Sequence, residues 1–306
     1  MPIWVVAGAS GYIGQHLVGR WRRAGDAVRT IGRGPRNDGR WSDEASLHRA
    51  LDGADVLVNL AGRSVSCRYT KSNADAIFSS RTETTAALGR ALGSIEAPPP
   101  VWLNASTGTI YRDARDRPQD ERTGELGTGF SVAVARAWER ELFEAQADVR
   151  RIALRMSIVL GPGGGAVNPL INMARVGFGG PMGDGAQVFS WIHVADVARA
   201  IEHLVGHREI DGPVNLATPH AVTNAELMAS MRDAVGRRIG IGSPAWWLEF
   251  GGRVIRTEPE LVLKSRWVEP RVLQESGFEF AHPFLDSALT GIVERSPRGL
   301  LPVALG

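Results

Sequence analysis

The chain has 306 residues, 43% of them hydrophobic, and a formal net charge of only +2. This length and composition allow a large buried core, and we expect one α/β domain with a smaller attached lobe. The basic residues are scattered, so they form no stripe for nucleic acid. The single cysteine, Cys67, excludes an internal disulfide framework and is typical of a reducing compartment.

No apolar run reaches the length of a membrane span, and the apolar N-terminus is too short and lacks the basic leader of a signal peptide. We therefore expect a soluble, cytoplasmic protein that does not bind membranes. The histidines show no metal-ligand spacing with other ligands, so no metal is expected.

The first element is an apolar strand at residues 4–7 that leads into glycines spaced three apart. Gly8 permits a sharp turn, Gly11 lets a pyrophosphate approach the backbone, and Gly14 lets the following helix pack closely on the strand. The N–H groups and positive dipole end of that helix then face the phosphates. The pattern predicts a dinucleotide site. Its other predicted members are Ser10, Tyr12 and Ile13.

The second strand, at residues 27–32, ends where a dinucleotide-binding fold selects its cofactor. An acidic residue there would bind the ribose 2′-hydroxyl of NAD. This chain instead has Arg33 and Arg36, with no carboxylate before Asp38. A guanidinium can hold a 2′-phosphate through two hydrogen bonds and stack on adenine. The sequence therefore favours NADP(H) over NAD(H); the alternative is that Arg33 is a solvated loop residue.

Further along the chain, strand-like and helix-like segments alternate, which is typical of a doubly wound parallel sheet, the Rossmann fold. The predicted elements are a strand at 55–62, a helix at 72–92, a strand at 101–107, a helix at 130–147 and a strand at 149–160. Residues at the ends of two strands complete the predicted cofactor site: Leu60, Ala61, Gly62, Ala105 and Ser106. We expect a Rossmann domain at 1–160, joined by about 186–218, and a smaller substrate-binding lobe at 161–185 and 219–306.

Five ordered motifs give the chain a family resemblance: the glycine turn, Asn59-Leu60-Ala61-Gly62, Ser106-Thr107-Gly108-Thr109-Ile110-Tyr111, Gly161-Pro162-Gly163, and Trp191-Ile192-His193-Val194-Ala195-Asp196. They resemble an extended or atypical short-chain dehydrogenase/reductase. More narrowly, the chain is similar to YfcH-like epimerase-family proteins with a C-terminal domain of unknown function. That closer match rests on Arg68-Tyr69-Thr70, Ser80-Arg81, the 177–183 loop, Ala137-Trp138-Glu139 and residues 275–280.

The resemblance also exposes a departure. Most members of this superfamily carry Tyr-x-x-x-Lys on the helix after the Ser/Thr strand, and the lysine lowers the tyrosine pKa for proton transfer. Counting back from Glu139 places Ser131 and Ala135 at those two positions. Arg136 lies about 100° round the helix from Ala135 and is a poor substitute. The usual proton relay is therefore predicted to be missing.

Three residues are the remaining candidates for the chemistry. Thr107 matches the superfamily's catalytic Ser/Thr, although a turn-forming role explains it equally well. Tyr69, in the loop expected over the nicotinamide, is the preferred substitute proton donor, with packing as the alternative. Arg81 replaces a structural asparagine and is predicted to bind a cofactor phosphate or an anionic substrate group. Tyr111 is interpreted as a buried tyrosine, and His193 with Asp196 as a structural hydrogen-bond pair.

Three functions follow from these features. The first is an NADPH-dependent reductase or epimerase of a small polar or sugar-like molecule. The second is a non-redox isomerase, lyase or cyclase with a structural nucleotide, and the third is a non-enzymatic NADPH-binding regulatory protein. Glycine-rich loops at 161–165 and 177–185 favour the first, because they imply a formed pocket. The two long helices resemble the pair that forms dimer interfaces in the superfamily, which implies a homodimer.

Overall fold

The computed structural model describes residues 1–164, 167–242 and 264–296. Its centre is a seven-stranded parallel sheet in the order β3-β2-β1-β4-β5-β6-β10. The strands are β1 (Ile3–Ala7), β2 (Ala27–Gly32), β3 (Gly39–Arg40), β4 (Val56–Asn59), β5 (Val101–Thr107), β6 (Arg150–Met156) and β10 (Gly212–Leu216). The strand order reverses between β1 and β4, and this topological switch point is where such sheets bind ligands. The predicted doubly wound Rossmann fold is confirmed.

Helices cover both faces of the sheet because its buried strands alternate apolar side chains between two cores. On one face, α1 (Tyr12–Arg23) and α6 (Val194–Gly206) pack against Val6, Val58 and Leu103. On the other, α2 (Glu44–Leu51), α3 (Lys71–Leu92) and α4 (Phe130–Phe143) face Val5, Leu57 and Trp102. Because helices cover both sides of the sheet, its strands are buried on both faces, as is usual for parallel sheets.

A third apolar cluster lies beside the carboxyl ends of the strands. It is built from two short sheets, β7 (Ile158–Leu160) with β9 (Trp191–His193) and β8 (Val188–Phe189) with β11 (Val222–Thr223). Its helices are α5 (Val167–Arg175), α7 (Asn224–Ala234) and α9 (Leu285–Glu294), whereas Leu273 of the short helix α8 (Arg271–Glu275) is buried in the core of the main sheet. Ile171, Trp191, Met231 and Leu289 are buried together in this cluster. It gives the fold a separate small core next to the sheet.

The structure differs from the predicted elements in two places. The strand predicted at 149–160 is broken at Ser157, whose N–H and hydroxyl both donate to Leu216 O, at 3.0 and 2.8 Å. This contact diverts the chain from the main sheet at β6 into the small sheet at β7. The helix predicted to reach residue 147 ends at Phe143, and the Arg151 guanidinium donates a hydrogen bond to the Phe143 carbonyl at 2.6 Å.

Candidate functional site

Glycine stands at three positions after β1 for different structural reasons. Gly8 has φ +80°, and a Cβ there would lie 2.7 Å from the Leu60 backbone. A Cβ on Gly14 would lie 2.5 Å from Gly8 O. Gly11 has neither problem: its φ is −72°, and the nearest atom to a Cβ would be Gly8 O at 3.4 Å. The protein's own packing therefore requires Gly8 and Gly14, whereas the absence of a side chain at Gly11 keeps a space open in front of the turn.

The N-terminus of α1 borders that space. Gly11 is its N-cap residue, no side chain caps the helix, and no acidic residue lies in its first turn. Ser10 and Gly11 are exposed, whereas Ile13 packs against the core of the sheet. An uncapped helix start offers N–H donors and the positive dipole end to an anion. The residues present here fit a dinucleotide pyrophosphate.

At the end of β2, both predicted arginines are exposed. Among the residues that the structure describes, neither Arg33 nor Arg36 forms a side-chain hydrogen bond or ion pair. Asp38, the nearest carboxylate, accepts hydrogen bonds from the Thr30 N–H at 2.7 Å and from its hydroxyl at 3.3 Å. The Asp38 carboxylate is thus bound to Thr30 at the sheet edge. The two unpaired guanidinium groups remain for a ribose 2′-phosphate.

Tyr12 connects the predicted phosphate loop to the glycine-rich segment after β7. Its hydroxyl donates to Pro162 O at 3.4 Å, and burial raises its pKa to about 12. A Cβ on Gly161 would lie 2.2 Å from the Tyr12 hydroxyl, and one on Gly164 would lie 2.3 Å from its ring. These two glycines therefore make room for the tyrosine ring. From the sequence, the glycine-rich segment was expected only to form a substrate pocket.

Arg81 of α3 lies against the turn after β4. Its Nη1 donates to Arg63 O and to Ile77 O, both at 3.0 Å, and its Cζ lies 5.0 Å from the Trp138 ring centroid. A Cβ on Gly62 would be 3.3 Å from the Arg81 Cζ, so glycine at 62 allows this close approach. Burial lowers the pKa of Arg81 to about 10, while Tyr69 opposes that shift. The guanidinium stays charged at neutral pH.

Tyr69 lies between α3 and α4. Its ring centroid is 4.8 Å from that of Phe130, at an interplanar angle of 58°. Phe130 immediately precedes Ser131, the position of the missing family tyrosine, and the Ser131 hydroxyl is buried with no partner among the described residues. The fold therefore brings Arg81 to the Gly62 turn, and it brings the Tyr69 ring next to the start of α4.

The Thr107 hydroxyl serves a local turn. It accepts a hydrogen bond from Thr109 N at 3.1 Å and donates to Thr109 Oγ1 at 3.0 Å, which caps a short 3₁₀ turn at Gly108–Ile110. To bind a substrate oxygen, Thr107 would have to redirect this O–H. Ser106 is buried, and its hydroxyl donates to Glu139 Oε1 at 2.6 Å, so only its backbone and that of buried Ala105 are left for a cofactor.

A buried polar network lies behind these strand ends. Arg155 of β6 and Glu139 of α4 form two parallel hydrogen bonds of 2.8 and 2.7 Å. Arg155 also donates to the Tyr111 hydroxyl at 2.9 Å, and that hydroxyl donates to Asn215 Oδ1 at 3.0 Å. Burial lowers the pKa of Arg155, but the hydrogen bonds and charge of Glu139 outweigh this and raise it. Sequence reasoning missed this ion pair; the only signal was Glu139 in the Ala-Trp-Glu motif.

His193 and Asp196 do not bond to each other, contrary to the interpretation from the sequence. The His193 Nδ1 accepts from Ala195 N at 3.2 Å and so caps α6. Burial lowers its pKa to about 3. The Asp196 carboxylate accepts from the backbone N–H groups of Ala281 and His282, both at 2.8 Å. Both side chains have a structural role because each satisfies backbone donors at a junction.

Within residues 1–164, 167–242 and 264–296, no group of three or more His, Cys, Asp or Glu residues has the geometry to hold a metal ion. Over the same ranges, no helix is both long and apolar enough to cross a membrane.

Comparison with known proteins agrees with this geometry. Residues 4–217 match the NAD dependent epimerase/dehydratase family, and residues 243–292 match a domain of unknown function, DUF1731. The first match covers more than half of the chain, so the protein belongs to the NAD dependent epimerase/dehydratase family. The resemblance to epimerase-family proteins with a C-terminal domain of unknown function is therefore confirmed.

Individual relatives extend the similarity over nearly the whole chain. Epimerase family protein Mb2239 of Mycobacterium bovis is 32% identical over 291 residues, which are 93% of this chain and 95% of the relative. The crystal structure of human epimerase family protein SDR39U1 with NADPH has a TM-score of 0.86 and 29% identity, covering 95% of this chain and 99% of that one. A nucleoside-diphosphate sugar epimerase from Corynebacterium glutamicum has a TM-score of 0.76 and 26% identity, covering 96% of this chain and 58% of its own. The predicted nicotinamide cofactor is confirmed at the level of the family.

Proposed function

We propose that the protein is an NADP(H)-dependent reductase or epimerase of a small polar or sugar-like molecule. The observation that carries this proposal is the open, uncapped start of α1 in front of Gly11, beside two unpaired arginines at the end of β2. The human relative that holds NADPH and the sugar-nucleotide epimerase with the same fold support it. We assign the substrate side to residues 161–185 and 219–306, parts of which lie outside the described residues.

The residues of the candidate site would have separate roles in binding the cofactor and in proton transfer. The α1 N-terminus and Gly11 would hold the pyrophosphate, Arg33 and Arg36 the 2′-phosphate, and the Gly62 turn the region near the nicotinamide. When bound, the cofactor supplies a hydride to a substrate carbonyl carbon or accepts one from the corresponding alcohol. Tyr69 would donate the proton to the carbonyl oxygen as the C–O double bond becomes single, and take it back in the reverse direction.

The cofactor preference gives a first prediction. Arg33→Ala should weaken NADPH binding by about 1–3 kcal/mol, because it removes hydrogen bonds from a charged donor to the 2′-phosphate. NADH lacks that phosphate, so its affinity should not change and serves as the control. Calorimetric titration of both proteins with both nucleotides is the measurement. Equal affinities of the wild type for NADPH and NADH would contradict the assignment.

The proton chemistry gives a second prediction. Tyr69→Phe and Thr107→Val should each lower kcat by roughly 10²-fold or more, the usual effect of losing a positioned acid–base group, while NADPH binding survives. The wild type must first be assayed for NADPH oxidation against a panel of carbonyl compounds. Full turnover in both variants would remove these residues from the mechanism.

A non-redox isomerase, lyase or cyclase remains the second candidate. The observation that favours it is Ser131 and Ala135 at the positions of the family's tyrosine and lysine. An NADPH-binding protein that oxidises or reduces no carbonyl or alcohol, yet converts a sugar-like compound, would support this candidate. Binding without any conversion would support a regulatory role.

A further inference from the structure

We propose that the substrate carries a carboxylate, and that the unused edge of the Arg81 guanidinium binds this group beside the Gly62 turn. The inference rests on the proposed function, since it names the chemical class of the substrate for the same site. It is carried by the hydrogen bonds of Arg81, by the charges around the turn and by the place of the turn relative to the expected cofactor.

A single nitrogen makes all the hydrogen bonds of the Arg81 guanidinium within the described ranges. Nη1 donates to Arg63 O and to Ile77 O, both at 3.0 Å, whereas Nε and Nη2 bond no acceptor there. Neither of these two nitrogens belongs to the buried polar atoms that lack a partner, so both reach solvent. Their N–H groups point from one edge of a planar cation, and the two oxygens of a carboxylate match that edge.

Two other arginines of this protein show what this edge binds. Arg155 donates through Nε and Nη2 to the two carboxylate oxygens of Glu139, at 2.8 and 2.7 Å. Arg20 uses the same two nitrogens for Glu202, at 2.6 and 2.8 Å. In Arg81 this edge meets no carboxylate in the described part of the chain, so a ligand can take the place that Glu139 and Glu202 occupy.

The Arg81 side chain is also held firmly for a ligand. Its Cζ lies 5.0 Å from the Trp138 ring centroid, and the indole N–H of Trp138 donates to Thr85 Oγ1 at 3.0 Å. Burial lowers the pKa of Arg81 to about 10, and no Asp or Glu of the described residues counters that shift. A cation that is partly removed from water without an opposite charge costs free energy. An anionic ligand would remove this cost, and for this reason such residues are typical of binding sites.

Arg150 illustrates the alternative, an arginine that has a structural role and bonds only backbone carbonyls. Its Nη1 and Nη2 donate to four carbonyl groups within residues 204–210, at 2.8–3.2 Å. Both terminal nitrogens are engaged at the C-terminal end of α6, where the helix dipole favours a cation. Arg81 differs because Nε and Nη2 stay unengaged at an exposed turn.

The charges around the Gly62 turn are positive. Arg63 and Arg68 in the loop after the turn are exposed. The Arg63 Nη2 donates to the neutral Asn73 side chain at 2.9 Å, and the Asn73 amide donates to Arg68 O at 2.8 Å, so these contacts hold the loop to α3 without a carboxylate. No Asp or Glu occurs at residues 56–74. An anion that approaches this turn therefore meets a positive potential.

The location of this edge favours the substrate over a phosphate of the cofactor. In the proposed function, the α1 N-terminus holds the pyrophosphate, and Arg33 and Arg36 hold the 2′-phosphate. A Cβ on Gly62 would lie 3.3 Å from the Arg81 Cζ, so the guanidinium lies directly against the turn assigned to the nicotinamide. Both anionic groups of NADPH thus have other ligands, and the group that binds at Arg81 belongs to the substrate.

Paired ligands that differ only in the carboxylate test this proposal. The protein–NADPH complex is titrated calorimetrically with pyruvate, benzoylformate and D-glucuronate, each compared with its neutral amide. At least one acid should bind roughly 10-fold or more tightly than its amide. Arg81→Met should weaken the binding of that acid by roughly 10- to 100-fold, the effect of removing hydrogen bonds to a charged group. Arg81→Lys should recover only part of the loss, because an ammonium lacks the planar two-donor edge.

Arg90→Met is the matched control, because it removes an equal charge from the last, exposed turn of the same helix and should bind the acid as the wild type does. NADPH affinity should stay unchanged in the Arg81 variants. A loss of NADPH affinity without a selective loss of the acid would overturn the proposal and assign Arg81 to a cofactor phosphate. A wild type that binds no acid more tightly than its amide would overturn it even if Arg81→Met does not fold.

The outcomes for the proposed function are separate. Acid binding that depends on Arg81, in a protein that reduces no carbonyl compound, would reject the reductase or epimerase and leave the carboxylate site established. Reduction of neutral carbonyl compounds with no preference for acids would retain the proposed function and reject the carboxylate site.

Discussion

Gly11→Val is expected to abolish NADPH binding while the chain keeps its fold. The structure leaves space at this position, because the atom nearest to an added Cβ would be Gly8 O at 3.4 Å. The valine side chain would occupy the place of the pyrophosphate in front of α1. Hydrogen bonds to charged groups contribute roughly 1.5–3 kcal/mol each, so the loss should exceed about 3 kcal/mol. Circular dichroism and nucleotide titration measure the two halves of this prediction.

Gly19→Val in the same helix is the control. A Cβ there would find only Arg23 Nη2, at 3.8 Å, and the residue lies away from the helix start. This variant should bind NADPH as the wild type does. Normal binding by a folded Gly11→Val protein would show that the phosphates bind elsewhere.

Arg155→Met is expected to lower the free energy of unfolding by about 3–5 kcal/mol, since it leaves the Glu139 carboxylate buried without its cationic partner. The side chains of Arg155 and Glu139 are only 9% and 10% exposed, so solvent cannot replace the lost interaction. The variant also removes the donor to Tyr111 that connects β6 to the rest of the network. Urea denaturation measures the change.

A surface ion pair provides the comparison for this variant. Arg115 and Asp184 lie 2.6 Å apart, but their side chains are 48% and 56% exposed. Arg115→Met should cost no more than about 1 kcal/mol, as exposed pairs generally do. A double variant, Arg155→Met with Glu139→Leu, should recover part of the loss, because it removes the uncompensated charge. Equal losses for Arg155→Met and Arg115→Met would contradict the role assigned to the buried pair.

Local sequence patterns were sufficient to predict much of the fold. The glycine spacing after β1 and the alternation of apolar segments predict the turn, the first helix and the parallel sheet, because each feature lies within a short stretch of chain. Several elements were missed, and two of them lie within the first half of the main sheet's sequence. Strand β3 has only two residues, and α2 has eight, with its start set by the Asp43 side chain accepting from Ser46 N. The break at Ser157 depends on Leu216, which is distant in sequence.

The candidate site was less accessible to sequence reasoning for a similar reason. Tyr69 was recognised from the sequence, but its contact with Phe130 results from how the loop before α3 packs on the start of α4. Glu139 and Arg155 belong to a helix and a strand, and only the packing of α4 on the sheet reveals that they pair. The turn role of the Thr107 hydroxyl is local, and its alternative interpretation from the sequence anticipated it.

The Tyr12 ring also limits how this protein can vary. It fills the space that Gly161 and Gly164 leave empty, so these three positions are sterically interdependent although about 150 residues separate them. A homologue with alanine at 161 would need a smaller residue at 12 and also at 194, because the new Cβ would lie 2.2 Å from the Tyr12 hydroxyl and 2.5 Å from Val194 Cγ1. Substitutions at these sites should therefore appear in compensating sets, and the start of α1 and the loop after β7 should evolve as one unit.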